Sequence, residues 1–297
     1  MSTLFFSHPA CLEHDAGDGH PERPDRLRAV NAALEGSEFA ALERREAPLG
    51  AHSDILRVHE GGYLAEVLAA VPSQGRAHLD ADTAVSPGSG EAALRAVGAI
   101  TAAVDAVAGG QADNAFCAVR PPGHHAEPAR AMGFCLFNNV AIGALRARDE
   151  HGFGKVAVID FDVHHGNGSE AAFRHDATLF YASTHQYPHY PGSGAAHDTG
   201  VGNILNLPLA AGSGSAAFRQ AFSHHLLPAL DDFAPEFVLI SAGFDAHAED
   251  PLAGLELEDA DFGWATRELL ALAARHAEGR LVSVLEGGYA LGALGRS

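Results

Sequence analysis

Two carboxylates and two imidazoles end the apolar run Val158-Ile159-Asp160-Phe161-Asp162-Val163-His164-His165-Gly166-Asn167-Gly168. Burying carboxylates costs free energy unless something compensates them, and a divalent metal is the leading candidate. Asp160, Asp162 and His164 alternate, so an extended backbone would aim all three at one face. Asp162 and His164 are therefore candidate ligands, because a borderline cation such as Zn2+ accepts carboxylate and imidazole together. Asp245 recurs in a similar setting, in Ile240-Ser-Ala-Gly-Phe-Asp-Ala-His247, again beyond an apolar run. Two Asp and one His would leave a fourth position for water or substrate, as in catalytic zinc sites. His247 is the alternative ligand in that loop. The plainer reading is a buried acid paired with a nearby arginine.

His124 and His125 follow Arg120-Pro-Pro-Gly. Adjacent imidazoles after so rigid a turn are hard to account for as core filling, although 19 histidines make a surface pair the default without context. Asp160 supplies the context, since it is free to orient an imidazole through Nδ1, and histidine is the usual general base near neutral pH. Tyr289, in Glu286-Gly287-Gly288-Tyr289, could offer its hydroxyl to a developing oxyanion or simply pack in a tight turn.

These residues need elements to position them. Apolar or β-branched runs at 3–6, 115–119, 156–159, 178–182, 237–240 and 281–285 read as strands. Several are continuous rather than alternating, as in parallel sheets buried on both faces. Ala- and Leu-rich stretches at 24–34, 53–71, 90–108, 138–150, 215–230 and 259–276 read as helices, the last with Asp259 as N-cap. The alternation predicts a doubly wound α/β sheet. Polar loops at 117–125, 160–168, 183–194, 241–254 and 286–289 follow its strands, and in such sheets they meet around one crevice. No repeat, low-complexity tract or linker divides residues 1–297, which read as one domain.

Bulk composition narrows the function classes. The share of hydrophobic residues, 47%, suits a sizeable core, yet no apolar run is long enough to span a bilayer. The start, Met1-Ser-Thr-Leu-Phe-Phe, lacks the basic region of a signal peptide, which points to a soluble, cytoplasmic protein. Cys11, Cys117 and Cys135 have no zinc-finger spacing and fit a reduced compartment. A net charge of −19 argues against nucleic acid and is compatible with a cationic substrate or partner. Lys155 is the only lysine, a bias from which no function follows.

The segments Arg-Pro-Pro-Gly-His-His, Gly-Phe-Cys-Leu-Phe-Asn-Asn, Ile-Asp-Phe-Asp-Val-His-His-Gly-Asn-Gly, Ala-Gly-Phe-Asp-Ala-His, Asp-Pro-Leu-Ala-Gly and Leu-Glu-Gly-Gly-Tyr resemble those of the zinc-dependent histone deacetylase family. That superfamily also holds acetylpolyamine amidohydrolases, acetoin-utilisation proteins and, more distantly, arginases. The motifs run in order from His20-Pro-Glu-Arg-Pro to Tyr289, and with Asn167 they resemble the class II branch and its bacterial members.

The resemblance implies the arginase/deacetylase fold, a single eight-stranded parallel sheet flanked by helices. It implies a zinc-dependent amidohydrolase that removes acetyl or other acyl groups from lysine side chains or similar amines. Asp162, His164 and Asp245 would bind zinc. His124 and His125 would be the tandem pair, with Asp160 bonded to His124. Asn167 would bond His125, where the class I branch has Asp, and Tyr289 would polarise the amide carbonyl. Gly133, Phe134 and Tyr190 would form the channel for the acyl-lysine stem. A structural potassium ion would sit near Asp160, Asp162, His164, Ser183 and Thr184. His165 is left as a packed neighbour.

In polyamine deacetylases an acid often follows the Asp-Pro that here precedes Leu252, so this position resembles protein-lysine deacetylases; Glu249 and Glu256 could substitute for that acid. An acetylpolyamine or other small amide is the alternative substrate, and a homo-oligomer stays open. Family members continue into a closing helix. This chain ends soon after Tyr289, so either it is part of a longer protein or that helix is absent.

Overall fold

Runs buried on both faces must become strands with neighbours on either side. The computed structural model describes residues 2–297. Its strands are β1 (Thr3–Ser7), β2 (Glu43–Glu46), β3 (Ala77–His78), β4 (Ala84–Val85), β5 (Asn114–Cys117), β6 (Val156–Asp160), β7 (Leu179–Gln186), β8 (Ile204–Leu209), β9 (Phe237–Ala242) and β10 (Leu281–Leu285). Eight of these form one sheet ordered β2-β1-β5-β10-β9-β6-β7-β8, with every pairing parallel. Strands β3 and β4 pair separately as an antiparallel ribbon. An eight-stranded parallel sheet flanked by helices is thus what the chain builds.

The helices are α1 (Pro24–Ala33), α2 (His52–Ile55), α3 (Gly61–Ala70), α4 (Ser89–Ala108), α5 (Asn139–His151), α6 (Asn167–Phe173), α7 (Ser215–Ala221), α8 (Leu227–Phe233), α9 (Asp259–His276) and α10 (Leu291–Arg296). Side chains alternate along each strand and so feed two cores. Val156 and Val158 of β6 pack with Leu27 of α1, Ile100 of α4 and Val140 of α5. Ala157 and Ile159 face the other way, with Phe218 of α7, Leu230 of α8 and Phe262 of α9. Each fully buried aliphatic or aromatic side chain of this kind stabilises the fold by about 1.5–3 kcal/mol.

Several elements depart from the sequence expectations. Edge strand β2, Glu43-Arg-Arg-Glu46, has no apolar run to announce it, and in edge strand β8, Ile204-Leu-Asn-Leu-Pro-Leu209, Asn206 and Pro208 interrupt the apolar residues. Charge and proline suit an edge, where one side of the ladder stays free. The helix expected over 53–71 is two, α2 and α3, broken ahead of Gly61-Gly62. The helix expected over 215–230 passes through a π-helical segment, Phe222–Leu226, before Pro228, which offers no N–H to an α-helical ladder. The N-cap of α9 is Glu258 rather than Asp259; Glu258 and Asp261 form a reciprocal capping box.

Helix α6 starts at Asn167, inside the Gly166-Asn167-Gly168 segment. Residues beyond Tyr289 form α10, whose Leu294 joins the first core. All three cysteines are buried free thiols. Among the described residues, no helix is long and apolar enough to cross a membrane.

Candidate active site

Strand β6 ends at Asp160, so Asp162 and His164 sit beyond it on an irregular loop rather than on the extended backbone expected. Asp160 Oδ1 accepts the Asp162 N–H at 3.1 Å and Asp162 Oδ1 accepts the His164 N–H at 2.9 Å, so each carboxylate turns the chain two residues on. Asp245 arrives from the loop after β9, and its Oδ1 accepts the Val163 N–H at 2.9 Å. His164 Nδ1 then lies 3.0 Å from Asp162 Oδ1 and 3.2 Å from Asp245 Oδ2.

These residues fit a metal. One ligand atom from each of Asp162, His164 and Asp245 lies within 4.8 Å of the other two, and all three residues are buried. Asp245 Oδ2 is buried without a hydrogen-bond partner. A Cβ on Gly243 would overlap Asp162, and one on Gly287 would overlap both Asp245 and Asp162, so the backbone leaves a cradle that only glycine permits. Mixed carboxylate and imidazole donors suit a borderline divalent cation.

The charges are just as unusual. Burial opposes charge on Asp162, yet His124, His164 and His125 hold it well below the ordinary range. Burial, reinforced by Asp162, pushes Asp245 up to about 7. His164 rises to about 10, because the two carboxylates outweigh its desolvation. His247, the alternative ligand, is turned away: its Nε2 bonds Asp259 at 2.9 Å and its Nδ1 accepts the Glu249 N–H at 3.0 Å.

Beside this cluster stands the histidine pair, with ring centroids 4.0 Å apart. His124 Nδ1 bonds Asp160 Oδ2 at 2.9 Å, and Tyr181 donates to the same oxygen at 3.0 Å. Glu286 fixes the backbone beneath: its Oε2 accepts the N–H groups of Gly123 and His124 at 2.6 and 3.1 Å, and its Oε1 accepts Ser241 Oγ at 3.0 Å. His125 Nδ1 bonds Asn167 Oδ1 at 2.9 Å. The two rings are electrostatically opposite. Desolvation opposes charge on His124, but Asp162 and Asp160 hold it well above the usual imidazole range. Burial, then the positive charge of His124 and His164, holds His125 well below that range. Neighbouring titratable groups driven apart in this way can divide acid, base and electrostatic roles.

All five predicted loops converge. His125, Gly133, Phe134, His164, His189, Tyr190, Leu252 and Tyr289, with Asp82 from the ribbon, line one cavity of 220 Å³. Gly133 has φ +56°, and a Cβ there would strike the His125 ring, so glycine is needed for both conformation and space. Phe134 follows at φ +69°, held by Thr83 Oγ1, which accepts its N–H at 3.0 Å. The Phe134 ring meets Tyr289 edge-on at 6.0 Å, and Tyr190 meets His125 edge-on at 5.2 Å.

Tyr289 is held from two sides. Asp250 Oδ2 accepts its N–H at 2.7 Å, and the buried Arg26 lies 4.8 Å over its ring while donating to Gly288 O at 2.6 Å and to Glu286 O. Burial, countered by Arg26, pushes its phenol well above the ordinary value, so it stays a donor.

Other expectations meet the structure as follows. Asp160 and Ser183 are register partners across β6 and β7. Ser183 Oγ bonds His185, and Thr184 Oγ1 is buried without a partner. Glu249 is paired with Arg296, and neither Glu249 nor Glu256 lines the cavity. His165 is more than packing: Nδ1 bonds Ser193 Oγ at 2.8 Å and Nε2 bonds Glu170 at 3.0 Å, which anchors the loop carrying His189 and Tyr190. Sequence reasoning missed Asp82, His189, Arg26 and the supporting roles of Asp250 and Glu286. Asp250 and Glu286 lay within motifs, but nothing in the motifs said what they touch.

Comparisons with known proteins show what the whole chain is similar to. A family model described as the histone deacetylase domain matches residues 20–297. A histone deacetylase-like amidohydrolase of Pseudomonas aeruginosa is 41% identical over 310 residues, covering 97% of this chain and 81% of that protein. A probable deacetylase of Archaeoglobus fulgidus is 36% identical over 301 residues, covering 98% and 82% respectively. A crystal structure of the HDA15 HD domain is similar with a TM-score of 0.95 at 35% identity, covering 100% of this chain and 87% of that one.

Proposed function

The chain belongs to the histone deacetylase family, and from that premise we propose that residues 1–297 are one zinc-dependent catalytic domain that hydrolyses acyl-lysine amides. The observation that carries this reading is the buried Asp162, His164 and Asp245 set, with His125 and Tyr289 on the wall of the same cavity.

Asp162, His164 and Asp245 would hold the zinc, which when bound supplies Lewis-acid polarisation of the acyl carbonyl and acidifies water. His125, kept neutral by burial, takes the proton of the attacking water and later returns it to the leaving amine. The Tyr289 hydroxyl donates to the oxygen that gains negative charge. His124, charged and tied to Asp160, adds positive potential. Phe134, Gly133 and Tyr190 flank the stem of the acyl-lysine. Potassium near Asp160, Asp162, His164, Ser183 and Thr184 remains part of this proposal.

Leu252 on the cavity wall, at the position where polyamine deacetylases often carry an acid, favours acyl-lysine in a peptide or protein. Asp82, the one carboxylate among the described residues that line the cavity, favours the second reading, an acetylated polyamine. The test is turnover of acetyl-lysine peptide, longer acyl-lysine peptides and acetylputrescine by chelated and zinc-restored protein. Turnover led by acetyl-lysine peptide, lost on chelation and regained with zinc, is expected. Faster acetylputrescine turnover selects the second reading, and no amide hydrolysis by zinc-loaded protein refutes both.

A further inference from the structure

We propose that Glu127 is a positioning residue: it locks the Asn167 amide so that His125 carries its proton on Nδ1 and keeps Nε2 bare. The inference deepens the deacetylase reading and rests on it for the role of His125 as base.

An Asn amide has an acceptor end and a donor end, and its surroundings decide which faces where. Around Asn167 Nδ2 lie Glu127 Oε1 at 2.8 Å, Met132 Sδ at 3.3 Å and the His125 carbonyl oxygen at 3.4 Å. All three only accept. That end must therefore be the NH2, and Oδ1 must face His125 Nδ1 at 2.9 Å. An amide oxygen cannot donate, so Nδ1 supplies the hydrogen and the neutral ring has its lone pair on Nε2. The reversed amide would set an oxygen against a carboxylate and present N–H to Nδ1. The imidazole would then keep its hydrogen on Nε2, where a general base needs a lone pair.

Glu127 decides between the two states. The carbonyl contact is long and a thioether is a weak acceptor, whereas the carboxylate bond is short and charge-assisted. Its backbone is fixed: the N–H donates to Arg130 O at 2.9 Å, and its carbonyl accepts His59 Nδ1 at 3.0 Å. Glu127 does not line the cavity and is not among the metal-binding residues, so its influence on the reaction runs through Asn167. An intervening neutral amide conveys orientation without placing a full charge on His125.

The experiment records long-range nitrogen–proton NMR spectra of zinc-loaded, nitrogen-15 histidine-labelled protein, with His125 assigned by the signals missing in His125→Asn. Kinetics on acetyl-lysine peptide are measured in parallel. Wild type should show Nδ1–H at His125. Glu127→Leu, with Glu127→Ala as a second truncation, should populate Nε2–H and lower kcat about tenfold or more, with KM and zinc content changed less than about twofold. Glu127→Gln keeps an acceptor oxygen and should keep the wild-type tautomer and most of kcat. Nε2–H in the wild type, or truncations with unchanged tautomer and kcat, would overturn the proposal. A tautomer that depends on Glu127 in a protein that hydrolyses no amide would uphold the positioning and sink the deacetylase reading instead.

Discussion

Replacing Asn167 by Asp alters one end of the His125 hydrogen bond and is expected to move the acid limb of the kcat/KM profile upward. In the wild type, a neutral oxygen sits 2.9 Å from Nδ1 of a ring that burial already holds well below its usual range. A carboxylate there would place a full charge about 4 Å from the charge on the imidazolium, worth ~4 kcal/mol at an effective dielectric of about 20. At 1.36 kcal/mol per unit, that is about three pKa units at most.

Glu127 limits the gain. It accepts from Asn167 Nδ2 at 2.8 Å, and in the variant two carboxylates would meet there, so one takes a proton or turns away. A rise of roughly one to two units is the expected net. The sign follows from the role: the base must be neutral, so a higher His125 pKa depletes the active form on the acid side and leaves the rate above the limb unchanged. The assay is kcat/KM on acetyl-lysine peptide from about pH 5 to 9 for wild type, Asn167→Asp, and Asn167→Asp with Glu127→Gln. The double variant lacks the second carboxylate and should show the larger shift. Superimposable acid limbs in all three proteins would refute the assignment of His125, tuned by Asn167, as the base.

Two further predictions concern the metal cradle and a buried histidine. Gly287→Ala sets a methyl group against Asp245 and Asp162, so metal content after zinc loading should fall at least about tenfold while the far-ultraviolet circular dichroism is retained; full zinc occupancy would exclude these carboxylates as ligands. His59 is held down to about 4, chiefly by burial, with Nδ1 bonded to Glu127 O and Nε2 accepting the Asn138 N–H. A depressed histidine contributes stability that is present above its unfolded pKa near 6.5 and lost as pH falls towards 4, here roughly 3 kcal/mol. Denaturant midpoints should therefore show a wild-type advantage over His59→Asn that is larger at neutral pH than near pH 4, and a constant difference would contradict the burial argument.

How much of this was legible in the chain depended on what each residue's partner is. Asp162, His164 and Asp245 could be read because carboxylates beyond buried strands need compensation, and the imidazole two residues after Asp162 completes a donor set for a divalent cation. The pairing of His124 with Asp160 was legible for the same reason, since a side-chain acid answers a side-chain base. Strand β2 was not legible, because an edge strand takes its partner on one side and needs no apolar run, and β8 was not because Asn206 and Pro208 break up its apolar residues.

The residues that hold the site together were hidden for a deeper reason. Glu286 takes the N–H groups of Gly123 and His124, and Asp250 takes those of Leu252, Tyr289 and Ala290. Arg26 donates to the carbonyls of Gly288 and Glu286 across more than half the chain. Backbone donors and acceptors occur at nearly every position, so a side chain that binds them leaves no complementary residue to find. Glu127 lies between these cases. Its partner is the side chain of Asn167, but an amide pairs with an acid, a base or another amide alike, so residue type alone could not single out their contact.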